Sequence, residues 1–299
     1  MAETHIGAAQ WAAAPPVRPE YLRETVASGD IGVVQKQLTL WQQLVNQAWL
    51  RKTFILLVIA VAWELYARQL NNALLVPTFS ATLEAFWTGV ADGEILQKVA
   101  NSVQLLLKGY ALGLVLALIF SALAMMSRIG NDLLETLTSA FNPLPAIALL
   151  PLALIWFGLG DLSIIFVLVH SVLWAVALNT HSGFRSVSNT LRMVGRNYGL
   201  KGVRYIAKIL IPAAFPSILT GLKIGWAFAW RTLIAAELVF GVSSGKGGLG
   251  WYIYENKNML DIPAVFAGLF TVILIGLIVE NFIFRNIEAA TVRKWGMQS

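Results

Sequence analysis

Cysteine is absent from the 299 residues. Disulfides, thiol catalysis and iron–sulfur ligation are therefore excluded. Histidine is nearly absent too, and His5, His170 and His181 have no ligand spacing among themselves, so no metal site is expected. Charge is scarce at 13% against 57% hydrophobic residues, and mean hydropathy is +0.67. Such a chain cannot cover itself with a water-facing surface, and several runs approach the roughly 20 apolar residues a helix needs to cross lipid. The N-terminal 30 residues show no basic stretch followed by an apolar core and a small-residue cleavage site, so no removable signal peptide is visible.

What charge there is has a sign and a place. The net charge of +6 could suit nucleic acid, but in an apolar chain it is better explained by the enrichment of Lys and Arg on the cytosolic side of membranes, so no nucleic-acid partner is expected. Six basic residues and no acidic one fall between Ser182 and Pro212: Arg185, Arg192, Arg196, Lys201, Arg204 and Lys208. Around them the apolar pattern predicts an all-α, integral membrane protein with about six spans: 53–66, 102–127, 133–157, 162–178, 213–240 and 264–284. RIGNDLLE, from Arg128, reads as a cytosolic turn. On that topology twelve Lys and Arg lie inside and four outside, which puts both termini in the cytosol.

Three regions follow: a cytosolic tail over 1–50, a transmembrane domain over 51–290 containing the basic loop 182–212, and a cytosolic tail over 291–299. The stripe Val34, Leu38, Trp41, Val45, Ala48 suits a helix lying on the membrane surface or an ordinary packing helix. In span 133–157, Pro143, Pro145 and Pro151 each remove a helix hydrogen bond. Irregular backbone at membrane depth is tolerated only against protein or a cavity, which makes Asn142 and Pro143 candidate liners of a path.

Within the basic loop, Lys201, Arg204 and Lys208 share one helical face, with Val203, Ile206 and Leu210 on the other. Arg192 and Arg196 pair at i, i+4, Gly199 divides the two segments, and Pro212 ends the second. This is a helix, turn and helix at the inner face. A lipid-binding loop would explain the charge, though not the break.

Charges inside spans are costly and are usually functional or paired. Glu64, Lys108, Arg231, Glu237 and Glu280 are the cases. Arg231 could ease an anion's passage or serve in an ion pair. Trp226 and Trp230, at i, i+4 beside it, could form a narrow gate or pack in the core. Gly245 to Gly250 spells GxGxxG but follows no strand of a βαβ unit, and 241–247 is one residue short of a phosphate loop and lacks its Ser or Thr. No nucleotide site or catalytic residue is expected on this chain.

Gly199, nine residues, then Ile209-Leu210-Ile211-Pro212 resembles the second half of the EAA loop of ATP-binding-cassette (ABC) importer permeases. Two departures are Met193-Val194-Gly195, which replaces EAA, and Ile211, which replaces Leu. The likeness extends over most of 50–297, to the nitrate, sulfonate and taurine branch. It is carried by Leu75-Val76-Pro77-Thr78, Ser102 to Gly109, Asn142 to Pro145, Trp156 to Gly160, Pro212 to Pro216, Ala235-Ala236-Glu237, Gly248-Leu249-Gly250 and Arg293-Lys294-Trp295-Gly296.

The resemblance implies a type I importer permease in the bacterial inner membrane, moving a small anion (sulfonate or taurine, nitrate, or organic carboxylate) by alternating access. It implies a second permease copy, two ATPase subunits holding ATP and magnesium, and a periplasmic or lipid-anchored binding protein. Arg196, Asn197, Tyr198, Gly199, Leu200, Lys201 and Arg204 would then couple to the ATPase, and Asn142, Pro143, Trp226, Trp230, Arg231 and Glu237 would border the path. The different-class alternative is a self-sufficient carrier or channel with Glu64 and Glu237 as an ion relay.

Overall fold

The structure, a computed structural model, describes residues 46–240, 247–294 and 296. The surface stripe up to Val45, most of the N-terminal tail, the loop 241–246 with the first glycine of the GxGxxG pattern, and Trp295 with the last three residues lie outside the described residues. The chain divides into two units, residues 1–55 and 56–299. Every described element is helical.

Helix α1 spans Ala48–Leu70. Its apolar side chains from Phe54 to Val61 are largely exposed, as lipid or another protein surface would require. Near its end, the Trp63 indole N–H donates to the Pro77 carbonyl (3.0 Å), and Glu64 accepts from the Ser80 amide (3.0 Å) and pairs with Arg68 (2.7 Å). Those bonds fix the entry to α2, Phe79–Ala91, whose N-cap Thr78 accepts from the Ala81 amide.

Helix α3, Glu94–Met126, carries Gly109, Gly113, Ala117 and Ser121 every four residues, so small residues form one buried ridge. A Cβ at Gly109 would lie 2.6 Å from Leu168 Cβ, and one at Gly113 would lie 2.7 Å from Val172 Cβ. Backbones approach closely along this ridge because lipid gives apolar helices no reason to associate, and van der Waals fit must supply one.

The partner across the ridge is α6, Asp161–Ser186, the most buried helix. Its other side packs on α8, a continuous helix from Gly202 to Val239. Helix α9 is Leu249–Asn258, and α10 runs Ile262–Arg293, capped by Asp261, which accepts from the Ala264 amide. On α9, burial together with Glu94 and Asp261 pushes the Tyr252 hydroxyl up to about 12, so it stays neutral.

Between α3 and α6 the chain departs from the expected regularity. Ser127 alone, extended and capping the Gly130 amide at 2.9 Å, separates α3 from α4, Arg128–Phe141. The expected turn RIGNDLLE is therefore entirely helix. After Phe141 the chain bends by 88° before the 3-10 turn Ala146–Leu149 and α5, Leu150–Phe157. Asn142 is still helical and donates to the Thr138 carbonyl (3.0 Å), but Pro143 and Pro145 offer no N–H, so the segment after it cannot continue the axis.

Among the described residues, four helices are long and apolar enough to cross a membrane: α3, α6, α8 and α10. The bent pair would make a fifth. The expected span 53–66 forms as helix within α1 but is not among them. Its uncharged stretch, between Lys52 and Glu64, covers only about 17 Å at 1.5 Å per residue.

Candidate functional site

Two places gather the sequence's candidate residues. The first is the basic loop. Helix α7, Asn189–Asn197, starts on Ser188, whose hydroxyl accepts from the Leu191 amide (3.4 Å). It ends on Gly199, with φ +70°: the Leu200 amide donates to the Gly195 carbonyl (3.1 Å) and the Gly199 amide to the Arg196 carbonyl (2.9 Å). This is the glycine-dependent Schellman cap. Arg192 turns inward, donating to the Phe184 (2.6 Å) and Val187 (3.0 Å) carbonyls at the C-terminus of α6, where a cation also meets the negative end of the helix dipole. Arg185 pairs with Glu135 at 2.8 Å.

The remaining cations Arg196, Lys201, Arg204 and Lys208 are exposed, as are Asn197 and Gly199, with Leu200 half-buried. Between them, Tyr198 is 82% and Val203 70% exposed, so the tip is both apolar and basic.

Two expectations need correction. Val203 does not share a buried face with Ile206 and Leu210, because it sits in the first turn of α8, ahead of the packing surface. Nor does Pro212 end a second short helix. The turn Ile206–Leu210 is π-helical, and this wider turn accommodates the prolyl ring and its missing N–H, so α8 runs straight through into the membrane segment. Gly195, in place of the last residue of EAA, is buried, and a Cβ there would sit 2.9 Å from Ile209 and Tyr205. Met193 is exposed.

The second place is a cavity of about 390 Å³ at the 88° bend, bordered by Asn142 to Ile147, by His170, Ser171 and Trp174 of α6, and by Phe228, Arg231, Thr232 and Ala235 of α8. Of the candidate path residues, Asn142, Pro143 and Arg231 meet here. Arg231 lies 5.8 Å from the Phe228 ring centroid and pairs with no carboxylate among the described residues. Ser171 donates to Thr232 Oγ1 at 3.0 Å across the two helices.

Trp226, Trp230 and Glu237 lie elsewhere. Trp230 is buried, with its N–H on the Val272 carbonyl (3.3 Å), and Trp226 packs edge-on to Tyr110 at 5.4 Å. They sit in packing positions between helices. Glu237 is buried, accepting from the Ser102 hydroxyl (2.8 Å) and the Gly250 amide (2.8 Å), while Ser102 Oγ accepts from the Leu249 amide (2.8 Å). It clasps α3, α8 and the start of α9.

Sequence reasoning missed His170, Ser171, Trp174, Phe228 and Thr232. The available signal was register: positions 170, 171 and 174, and positions 228, 231, 232 and 235, each fall on one helical face. Among the described residues no three His, Cys, Asp or Glu side chains are grouped to hold a metal.

A bundle built on small-residue ridges, with a capped basic loop and a cavity at a broken helix, suits a membrane translocator. Residues 109–291 match the family described as the binding-protein-dependent transport system inner membrane component, and the chain belongs to it. It is similar to a putative ABC transporter permease of Methanocaldococcus jannaschii, 33% identical over 74% of this chain and 83% of that protein. It is also similar to a putative aliphatic sulfonates transport permease of Escherichia coli, 30% identical over 75% and 84%, and to a nitrate import permease of Synechocystis, 27% identical over 78% and 86%. The chain is a multi-pass inner-membrane transport component rather than an enzyme, of a kind that works with a binding protein and an ABC ATPase.

Proposed function

We propose that this chain is the permease subunit of an ATP-driven importer for a small anion. In this reading it pairs with a second copy, docks two ATPases through α7 and the tip from Arg196 to Arg204, and receives solute from a binding protein on the outer face. Both termini lie in the cytosol, and ATP and magnesium stay in the ATPase subunits. The anion is an organic sulfonate such as taurine, nitrate, or an organic carboxylate.

The observation that carries the reading is the continuity of the tip with the membrane helices. Gly199's cap holds α7, Arg192 ties it to the end of α6, and α8 leaves it as one helix from Gly202 to Val239. An ATPase pressing on Tyr198 or Val203 would move α6 and α8 together, the two-state element alternating access needs. The inner cations and the mostly uncharged membrane segments support the topology.

A self-sufficient carrier is not favoured, because Glu237 is engaged by Ser102 and Gly250 and Glu64 by Ser80 and Arg68. Co-purification tests the proposal: Gly199→Pro should abolish ATPase binding while the chain still inserts in the membrane. Full retention of the ATPase would move the interface elsewhere.

A further inference from the structure

The cavity at the bend has a wall whose chemistry is uneven, and that unevenness selects among anions. Its only cation is Arg231, with no carboxylate beside it among the described residues. Next to it, Trp174 is 8% exposed, yet its indole N–H has no acceptor, and neither ring nitrogen of His170 has a partner among the described residues. Those nitrogens are themselves buried and do not open onto the cavity, so the group left to meet a ligand is the Arg231 guanidinium, a cation on the wall with no carboxylate to pair with it among the described residues.

The rest of the wall is mostly apolar, with Asn142, Ser171 and Thr232 its other polar side chains. The prolines at 143 and 145 and the side chains of Ile147 and Phe228 border it, and Trp174 is stacked on Phe141 (5.4 Å between centroids, 11°) with His170 edge-on at 6.2 Å. The aromatic stack holds the indole in place. A guanidinium alone would suit any oxyanion. A volume of about 390 Å³ lined mainly by carbon suits one with a body attached.

Resting on the reading that the chain passes a small anion, we infer that this cavity recognises an organic monoanion, a sulfonate or carboxylate carrying an apolar body, in preference to a bare inorganic anion. Arg231 takes the anionic head, and Phe228 with the proline turn covers the body. A guanidinium offers a planar fork to two oxygens at once, so it fixes the head's orientation as well as its charge. Nitrate would satisfy the fork and leave the carbon wall uncovered.

The full chain, reconstituted in lipid nanodiscs, is titrated calorimetrically with sodium benzenesulfonate, sodium nitrate and neutral benzenesulfonamide. Benzenesulfonate is expected to bind saturably, with the other two weaker by roughly tenfold or more, the usual worth of one charge-assisted contact or one buried ring. Arg231→Ala should erase the preference for benzenesulfonate over benzenesulfonamide. The inference is overturned if benzenesulfonate does not bind, if nitrate binds as tightly, or if Arg231→Ala leaves the preference intact. Co-purification with the ATPase reads the permease proposal separately, so cavity binding can fail while docking stands, and the reverse.

Discussion

Glu237 of α8 accepts the amide proton of Gly250 at 2.8 Å, thirteen residues further along and across the loop that leads into α9. The same carboxylate takes the Ser102 hydroxyl, so one buried side chain joins three helices. The glycines around it are required by space. A Cβ at Gly250 would lie 2.6 Å from Glu237 Cβ and from the Ile234 carbonyl, and one at Gly248 would meet the Glu237 carboxylate itself.

Gly250→Ala should therefore destabilise the protein by about 1–3 kcal/mol, the usual cost of forcing a methyl into packed backbone. Glu237→Ala should cost a similar amount by stranding the Ser102 hydroxyl and the Gly250 amide. Thermal unfolding in detergent reads both. Unchanged melting for both variants would mean the clasp is not closed in the membrane.

Glu237→Gln separates clasp from relay. The amide keeps one acceptor for Ser102 or Gly250 but carries no titratable proton. Uptake by the variant should persist without dependence on an imposed proton gradient. An uptake that collapses with Glu237→Gln while the melting temperature holds would favour the carrier.

Gly199 should tolerate no ordinary side chain cheaply. Its φ of +70° lies in the left-handed region, where an L-residue pays about 1–2 kcal/mol. Gly199→Ala should lower ATPase affinity by roughly tenfold if that strain loosens the tip, whereas Gly199→Asn, which visits this region more readily, should recover part of it. Equal affinities for all three, measured by pull-down titration, would detach the tip from docking.

Pro143→Ala with Pro145→Ala restores two helix donors and should reduce the 88° bend. The chain lacks cysteine, so a single Leu144→Cys reports directly through labelling with a water-soluble maleimide. Labelling should fall severalfold when the prolines are replaced. Equal labelling would mean that packing on α6 and α8, and not the prolines, sets the bend.

Lys223 and Glu288 pair at 2.7 Å between α8 and α10, each about a quarter exposed. Exchanging their charges together should restore much of the stability that Glu288→Lys alone removes, with a coupling of about 0.5–3 kcal/mol in a double-mutant cycle. Strict additivity would show the pair to be incidental.

Much of this was legible in the sequence because membrane helices and glycine caps depend on local pattern. The long apolar runs gave α3, α6, α8 and α10, Gly199 marked the Schellman turn, and the prolines at 143 and 145 marked the broken helix. What was not legible depends on register between helices far apart in the chain. Trp226 and Trp230 share a face in sequence, but packing against α3 and α10 decides that they fill the interior. Arg231 lies one residue on and turns to the cavity instead. Pro212 reads as a stop, yet the π turn before it carries the helix through, and a backbone bulge of that kind has no residue signature. Arg192 reads as a partner of Arg196 at i, i+4, but the open carbonyls of α6 claim it.

The most direct test of the central claim is uptake of a radiolabelled organic sulfonate into proteoliposomes holding this chain, its ATPase and its binding protein. Our account predicts uptake that requires ATP and is lost in Gly199→Pro, while that variant still inserts in the membrane. Uptake by the chain alone, driven by an ion gradient without nucleotide, would contradict it.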